Sequence, residues 1–329
     1  MTGVPLNIRI ELLRQYGSFP QAYSATFQLG LEHFGDERGF IAYKRVWDTT
    51  LVLSDPIAPR ENQHDLIELF LKDHHDAAFW QVSRPMADIL GQRGFYINEL
   101  GPENRIDLVN YDFSGRDKQD IRNAFNRARR RGYRIRESSF DEIGVNEAKA
   151  VSDKWRRLQT VSNRELTFLA RPLVIEQEPD VRALFVSESD GKLVAFSVFD
   201  PVYDKGHVVG YTCQHSRHRP DADLRVQHAI KGVAIEEFQK EGKKWLFLGL
   251  SPCADIHDHD FAPYRNRVVN GCFRFSYRSW LFNRLIFPFN SIAAHKRQFR
   301  GSAEQTYYCF NTLPSFPRIL KVFRACNVL

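Results

Sequence analysis

Residues 183–204 read ALFVSESDGKLVAFSVFDPVYD. Two β-rich runs flank Ser189-Asp190-Gly191-Lys192, and a polar turn with glycine between such runs predicts a hairpin. Proline cannot donate to a strand ladder, so Asp200-Pro201 predicts the end of the second strand. The same layout occurs earlier. Residues 39–59, GFIAYKRVWDTTLVLSDPIAP, also place two β-rich runs around a polar turn and close on Asp55-Pro56. The downstream segments correspond as well. HDLIELFLKDHH (64–75) reads as a helix and AFWQVS (78–83) as a strand. In the second half LRVQHAIKGVAIEEFQKEG (224–242) leads to KKWLFLGLS (243–251). There Val226, Ala229, Ile230, Val233 and Phe238 make a stripe at helical spacing, and Gly242 supplies the C-cap.

Each half therefore offers an antiparallel hairpin, a helix and a further strand. The expected class is α+β, a duplicated chain with mixed sheets. This order of elements is the one used by the GNAT acyltransferase fold, so the architecture expected is tandem GNAT-like. The polar stretch ESSFDEIGVNEAKA (137–150) predicts the junction. It gives an N-terminal unit of 1–145 and a C-terminal unit of 146–329 that carries the reaction centre.

The 329 residues are 43% hydrophobic, enough for a sizeable core and against disorder. Net charge is +6 and the pI about 9.0, which suggests a polyanionic partner, nucleic acid or an anionic membrane surface. The five cysteines, Cys213, Cys253, Cys272, Cys309 and Cys326, are scattered and contain no C-x-x-C pair. That argues for a reducing cytoplasm and against a disulfide framework or zinc ribbon. The first residues lack the apolar core of a signal peptide, and no run of 18 apolar residues exists. A cytoplasmic location is expected, with peripheral contact at the inner face of the membrane as an addition to it.

The charge is concentrated. IRNAFNRARRRGYRIRE (121–137) carries seven arginines in seventeen positions. Ile121, Ala124, Phe125 and Ala128 fall on one helix face, and the arginines occupy the rest of the cylinder. The two readings are a solvated basic face and a polyanion-binding one. DIHDHD (255–260) alternates acid and histidine but has no distant partner of metal-site spacing, so no metal is expected. No G-x-S-x-G elbow or Walker motif is present, which leaves serine hydrolysis and nucleotide hydrolysis unsupported. The terminal LPSFPRILKVFRACNVL (313–329) reads as a short basic amphipathic helix. It would dock on its own domain or rest on anionic lipid.

Several of these stretches, in this order, carry a family resemblance. GFIAYKRVWDTTLVLSDPIAP, FWQVS and IDLVNYDFSGRDKQDIRNAFNRARRRGY are followed by RHRPDAD (217–223), WLFLGLSP and FNSIAAHKRQFRG. Together they resemble the C-terminal catalytic domain of bacterial phosphatidylglycerol lysyltransferases, over roughly residues 15–310. The resemblance implies two tandem GNAT-like folds. It also implies transfer of an amino acid from aminoacyl-tRNA to a lipid headgroup or another small hydroxyl or amine acceptor. Aminoacyl-tRNA would be the co-substrate and no separate cofactor would be needed. Those lysyltransferases carry a large N-terminal membrane domain that this sequence does not include, so a stand-alone soluble chain is expected. By alignment the family often has acids where this chain has Gln214 and His228, which implies a different acceptor or amino-acid preference.

The residues bear on the donor independently. An acyl-CoA enzyme of this fold needs a glycine-rich turn whose N–H groups hold a pyrophosphate at a helix N-terminus. The corresponding loops, SDPIAPRENQHD and SRHRPDADLRVQ, contain no glycine. A CoA-dependent N-acyltransferase is therefore the second reading, and a non-catalytic basic RNA- or membrane-binding module the third. For the reaction centre the expected set is Arg217, His228 and Lys296. Arg217 would hold an anionic group, or else pair structurally with Asp221 or Asp223. His228 lies off the apolar stripe, so it is expected at the surface, where it could act as base. Lys296, in the segment HKRQFRG read as a closing strand, matches the family's Lys-rich motif and would steady the oxyanion or the tRNA 3′ end. Arg122, Arg127, Arg129, Arg130, Gln214 and Arg300 complete the expected substrate- and tRNA-binding set.

Overall fold

The computed structural model describes residues 3–159, 164–223, 225–257, 261–312, 321–322 and 324–327. The strands are β1 (Glu32–Asp36), β2 (Gly39–Val46), β3 (Thr49–Leu53), β4 (Ala78–Val82), β5 (Tyr96–Asp107) and β6 (Arg134–Glu137). They continue as β7 (Arg182–Ser187), β8 (Leu193–Asp204), β9 (His207–His218), β10 (Trp245–Leu250) and β11 (Ser302–Phe310). The helices are α1 (Leu6–Tyr16), α2 (Ala22–Phe27), α3 (Arg60–Asp73), α4 (Arg84–Gly91), α5 (Gln119–Arg130) and α6 (Phe140–Ile143). Then come α7 (Val145–Arg157), α8 (Val226–Lys240), α9 (Arg267–Arg278), α10 (Trp280–Leu285) and α11 (Phe289–Arg297).

The duplication is present. In the first half β1, β2 and β3 are antiparallel and α3 carries the chain to β4, parallel to β3. In the second half β7, β8 and β9 are antiparallel and α8 carries it to β10, parallel to β9. The two halves do not make separate sheets. They share one 11-stranded sheet in the order β1-β2-β3-β4-β11-β5-β10-β9-β8-β7-β6. The strand after each parallel pair crosses to the other half. β5 pairs with β10, β11 pairs with β4, and β5 and β11 pair with each other. The units expected at 1–145 and 146–329 thus interleave. β6 lies against β7, α5 packs on α8 through Ala124, Ala128 and Ala229, and the C-terminal β11 sits beside β4.

Strand alternation sends side chains to both faces of the sheet, and helices cover both. In the first half Phe40, Leu51, Leu53 and Trp80 meet α1 and α2, while Ile41, Tyr43, Val52 and Phe79 meet α3 and α4. In the second half Leu184, Val186, Phe199 and Leu246 meet α8, and Ala183, Phe185, Phe196 and Val198 meet α6 and α7.

The hairpins form where expected, with one correction. Proline does not end β8, which continues through Pro201 to Asp204. β7 stops pairing at Phe199, whereas β9 still pairs with Pro201 through Tyr211. At Pro201 the strand is an edge on one side, where a missing N–H costs no ladder bond. A second correction concerns HKRQFRG: His295, Lys296 and Arg297 end helix α11 and are not a strand. Of the C-terminal tail, residues 313–320, 323 and 328–329 lie outside the described residues, Phe316, Ile319, Leu320, Phe323 and Arg318 among them. The described part docks on the chain itself, against the first half and against Glu165 and Thr167 of the second. Lys321 donates to Thr49 Oγ1 at 3.0 Å, and Lys44 donates to the Ala325 carbonyl at 3.1 Å.

Candidate active site

The parallel pair β9–β10 is joined over three residue pairs, Trp245–Gly210, Leu246–Tyr211 and Phe247–Thr212. Beyond them both strands lose register with their other neighbours. β9 bulges at Gln214 against β8, and β10 bulges at Leu248 against β5, with Gly249 at φ +89°. Bulges turn strands aside, so the ladder opens at the C-terminal end of the parallel pair, where sheets of this kind bind ligands. Polar side chains from β5, β9, α8 and α11 gather there.

Lys296, in the last turn of α11, enters from one side. Its Nζ donates to the Leu250 carbonyl at 2.5 Å, and a Cβ on residue 249 would come within 3.2 Å of it. Glycine at 249 thus serves both the positive φ and the close approach of the ammonium. Glu103 on β5 is the anion that opposes Lys296. Burial pushes the Glu103 carboxyl up and the Lys296 ammonium down, and the attraction between them partly offsets both effects. A buried amide relay holds Glu103. Gln21 donates to Gln81 at 3.0 Å, and Gln81, at a bulge with φ +59°, donates to Glu103 Oε2 at 2.9 Å. Glu103 Oε1 is buried and among the described residues has no hydrogen-bond partner of good geometry.

His228 and Lys231 enter from α8, three residues apart and so on one helix face. Lys231 is buried and donates to Ser216 Oγ at 3.0 Å. His228 is buried as well, which corrects the surface position expected for it. The apolar stripe is not the only covered side of α8, because the helix is enclosed nearly all round. Phe125 of α5 packs so close to Gly232 that a Cβ there would meet its ring at 2.3 Å. Phe299 stacks flat on the His228 ring at 5.5 Å, and His295 meets it edge-on at 4.3 Å. Gln298 lies beside the ring, and among the described residues neither ring nitrogen has a hydrogen-bond partner of good geometry. Burial, with the Lys231 charge nearby, lowers the His228 pKa to about 4, and His295 is pushed well below its ordinary value by burial and the same lysine. Both imidazoles are neutral at pH 7.

Arg217 stands apart from this set. Ser216 faces α8, and alternation along β9 turns its neighbour Arg217 to the other side of the sheet. There Arg217 donates to Glu165 at 2.9 Å and lies 4.0 Å above the Trp155 ring. Neither Asp221 nor Asp223 is its partner: Asp221 pairs with Arg219, and Asp223 with Arg127 and Arg131. The expected trio is therefore split, with Arg217 held by α7 and the segment before β7, and His228 and Lys296 on the side of α8 and α11. Gln214 occupies the β9 bulge, half-buried, at the edge of the opened ladder.

The arginine helix buries Ile121, Ala124 and Ala128, with Phe125 partly covered, and turns its arginines outward. Arg122 is structural, donating to the Phe113 and Gly115 carbonyls. Arg127, Arg130, Arg131 and Arg225 line a groove of about 430 Å³ with Asn123 and Asp223. It ends at the N-terminus of α8, one turn from His228. Arg129 is exposed but does not line this groove, and Arg300 is exposed just after α11. Asp223 accepts from the Arg225 backbone N–H at 2.9 Å, just before the first turn of α8. Of the DIHDHD stretch, residues 258–260 lie outside the described residues.

Sequence reasoning misses Glu103 and Lys231. The signal that points to Lys231 is a lysine inside the apolar run QHAIKGVAI, at the helical spacing of His228. Glu103 gives no such signal, because its strand neighbours come from distant sequence.

From residue 10 to residue 310 the sequence matches the family described as phosphatidylglycerol lysyltransferase, C-terminal. The chain belongs to this family. Its architecture is α+β and GNAT-like in both halves. Among relatives, the phosphatidylglycerol lysyltransferase of Bacillus subtilis is 22% identical over 283 residues, which cover 84% of this chain and 31% of the relative. That of Staphylococcus xylosus is 21% identical, covering 92% of this chain and 36% of the relative. The chain thus spans about a third of the length of these lysyltransferases. In fold it matches the structure of L-PGS from Bacillus licheniformis at a TM-score of 0.76 and 19% identity, covering 98% of this chain and 96% of that one.

Proposed function

We propose that this lysyltransferase-family chain is an aminoacyltransferase that moves an amino acid from aminoacyl-tRNA to the hydroxyl of a lipid headgroup. The observation that carries the reading is His228: a buried neutral imidazole whose two nitrogens have no partner of good geometry among the described residues, between the opened ladder and an arginine-lined groove. The relatives' name supports phosphatidylglycerol as acceptor. A CoA donor is disfavoured by the glycine-free loop before α8.

The acceptor hydroxyl attacks the carbonyl of the aminoacyl ester. A new acyl C–O bond forms, the C–O bond to the tRNA ribose breaks, and the hydroxyl proton ends on the ribose oxygen. His228 takes that proton as the attacking oxygen becomes acidic, and returns it to the leaving oxygen. Lys296 meets the developing oxyanion or the tRNA 3′ end. The ester is already activated, so alignment supplies much of the rate and no cofactor is required. Arg217, paired with Glu165 across the sheet, is outside the reacting set.

The test is transfer of a labelled amino acid from a charged tRNA pool into a lipid extract. Ribonuclease treatment should abolish the labelled product. Transfer that survives ribonuclease and is driven by acetyl-CoA would overturn the donor assignment. The basic surface of α5 is tested with Arg129→Glu and Arg130→Glu together, since Arg127 must stay to neutralise Asp223. Two lost phosphate contacts should weaken tRNA binding about tenfold or more and flatten the log–log salt slope by about 1.5–2. An unchanged affinity and slope would make these arginines a solvated face.

A further inference from the structure

α9 and α10 carry an apolar face that no other element among the described residues covers. On α9 Val268, Gly271, Cys272, Phe275 and Arg278 follow one another at helical spacing on the exposed side, while Val269, Asn270, Phe273 and Tyr277 turn inward. On α10 Trp280, Leu281, Arg284 and Leu285 continue the exposed side. Val268 is 70% exposed, Phe275 63%, Trp280 67%, Leu281 58% and Leu285 60%. Exposed apolar side chains grouped on two consecutive helices in this way mark an interaction surface.

The charge around it identifies the partner. From Phe261 to Ala303 there is no Asp or Glu, and there are eight Lys or Arg. Exposed Arg267, Arg278 and Arg284 flank the patch, and Arg284 lies 5.1 Å from the Trp280 ring. A second copy docking through the same face would set these arginines against each other. An RNA would use the arginines but leave the leucines in water. Exposed Trp and Leu among basic residues, without acids, match the headgroup region of an anionic bilayer.

We propose that the α9–α10 face docks this chain on an anionic lipid surface. The mount is rigid. Asn283 of α10 donates to the Ser276, Tyr277 and Ser279 carbonyls at 2.9–3.1 Å, and its Oδ1 accepts from the Asn290 N–H at 2.9 Å. The docked face is thereby joined to α11, whose last turn carries Lys296 about 9 Å along the helix from Asn290. The inference deepens the lipid-acceptor reading, but docking needs no donor and no turnover.

Binding is measured by co-sedimentation of the full chain with vesicles of phosphatidylcholine alone, of equimolar phosphatidylserine, and of equimolar phosphatidylglycerol. Both anionic mixtures should bind the chain, and the neutral vesicles should not. Trp280→Ser, Leu281→Ser and Leu285→Ser combined should reduce partitioning at least about tenfold. Arg278→Gln with Arg284→Gln should reduce it about fivefold per charge. Arg129→Glu with Arg130→Glu, on the exposed side of α5, should reduce it less than the α9–α10 charge pair does. Circular dichroism confirms that each variant is folded. Binding that ignores the apolar triple, or that falls only with the arginine helix, overturns the proposal. So does a dimer in solution, broken by Leu281→Ser, in a chain that ignores vesicles. Docking on phosphatidylserine without any lipid product would instead leave docking standing and remove the acceptor reading.

Discussion

His228→Phe should lower the rate of aminoacyl transfer about 10²–10⁴-fold and leave the protein folded. Phenylalanine keeps a flat ring to stack on Phe299 and to meet His295, so the packing of α8 against α11 survives. It removes two buried nitrogens that have no partner of good geometry among the described residues, a change that is neutral or stabilising for the fold. Packing and chemistry are thereby separated: a histidine that merely fills space is replaced at no cost, whereas a base is lost. Single-turnover transfer with charged tRNA in excess reads the chemical step, and filter binding reads tRNA affinity, which should not move. The same variant reports through pH. His228 is held near pKa 4, below its ordinary 6.5, so between those values the unfolded chain binds a proton that the folded chain refuses. Its contribution to stability is complete above about pH 6.5 and is lost as pH falls toward 4. His215 and His295 act in the same direction through burial. His228→Phe removes one of these groups, so its thermal midpoint should fall less steeply than wild type between pH 6.5 and 4. Near-wild-type turnover in the Phe variant would sink the base assignment.

The part of the fold legible in the sequence is local. The hairpins at β2–β3 and β7–β8, the helices α3, α5 and α8, and the strands β4 and β10 announce themselves through period, turn residues and caps within about twenty residues. The duplication follows from their order. The exchange of β5 and β11 between halves is not legible. β11 joins β4 across more than two hundred residues, and no turn signal or periodicity records such a pairing. The same limit explains the site. His228 stands out as a residue type at a telling spacing, but its burial depends on His295 and Phe299, contributed by α11 and by the turn after it. Arg217 is expected to bind an anion or a nearby aspartate, and its partner is Glu165, from the segment before β7. Pro201 misleads for a related reason: whether a proline ends a strand depends on which neighbour is missing at that point.

Arg171→Met should destabilise the fold by about 3–5 kcal/mol, the usual consequence of stranding a buried charge. Arg171 is 2% exposed and donates to Asp200 through Nη2 at 2.6 Å and Nε at 3.2 Å, while Nη1 reaches Glu178 at 2.6 and 2.7 Å. It also lies 5.1 Å from the Tyr23 ring of α2. One guanidinium thus ties the segment before β7 to β8 and to the N-terminal helices. Methionine fills the stem's volume but leaves Asp200, 1% exposed, without its cation. Burial already pushes the Asp200 carboxyl up, and Arg171 is what pulls it back. Without the arginine the folded-state pKa rises further above the unfolded value. A carboxyl raised in this way is tolerated while protonated and costs stability as pH rises, so the loss should be larger at pH 8 than at pH 5. Arg171→Met with Asp200→Asn should recover a large part of it, because the amide no longer needs a counter-charge in a buried site. Denaturant unfolding of the three proteins at both pH values decides the matter. A loss below about 1 kcal/mol, or one independent of pH, would mean that water reaches Asp200 and that the ion pair does not hold this junction together.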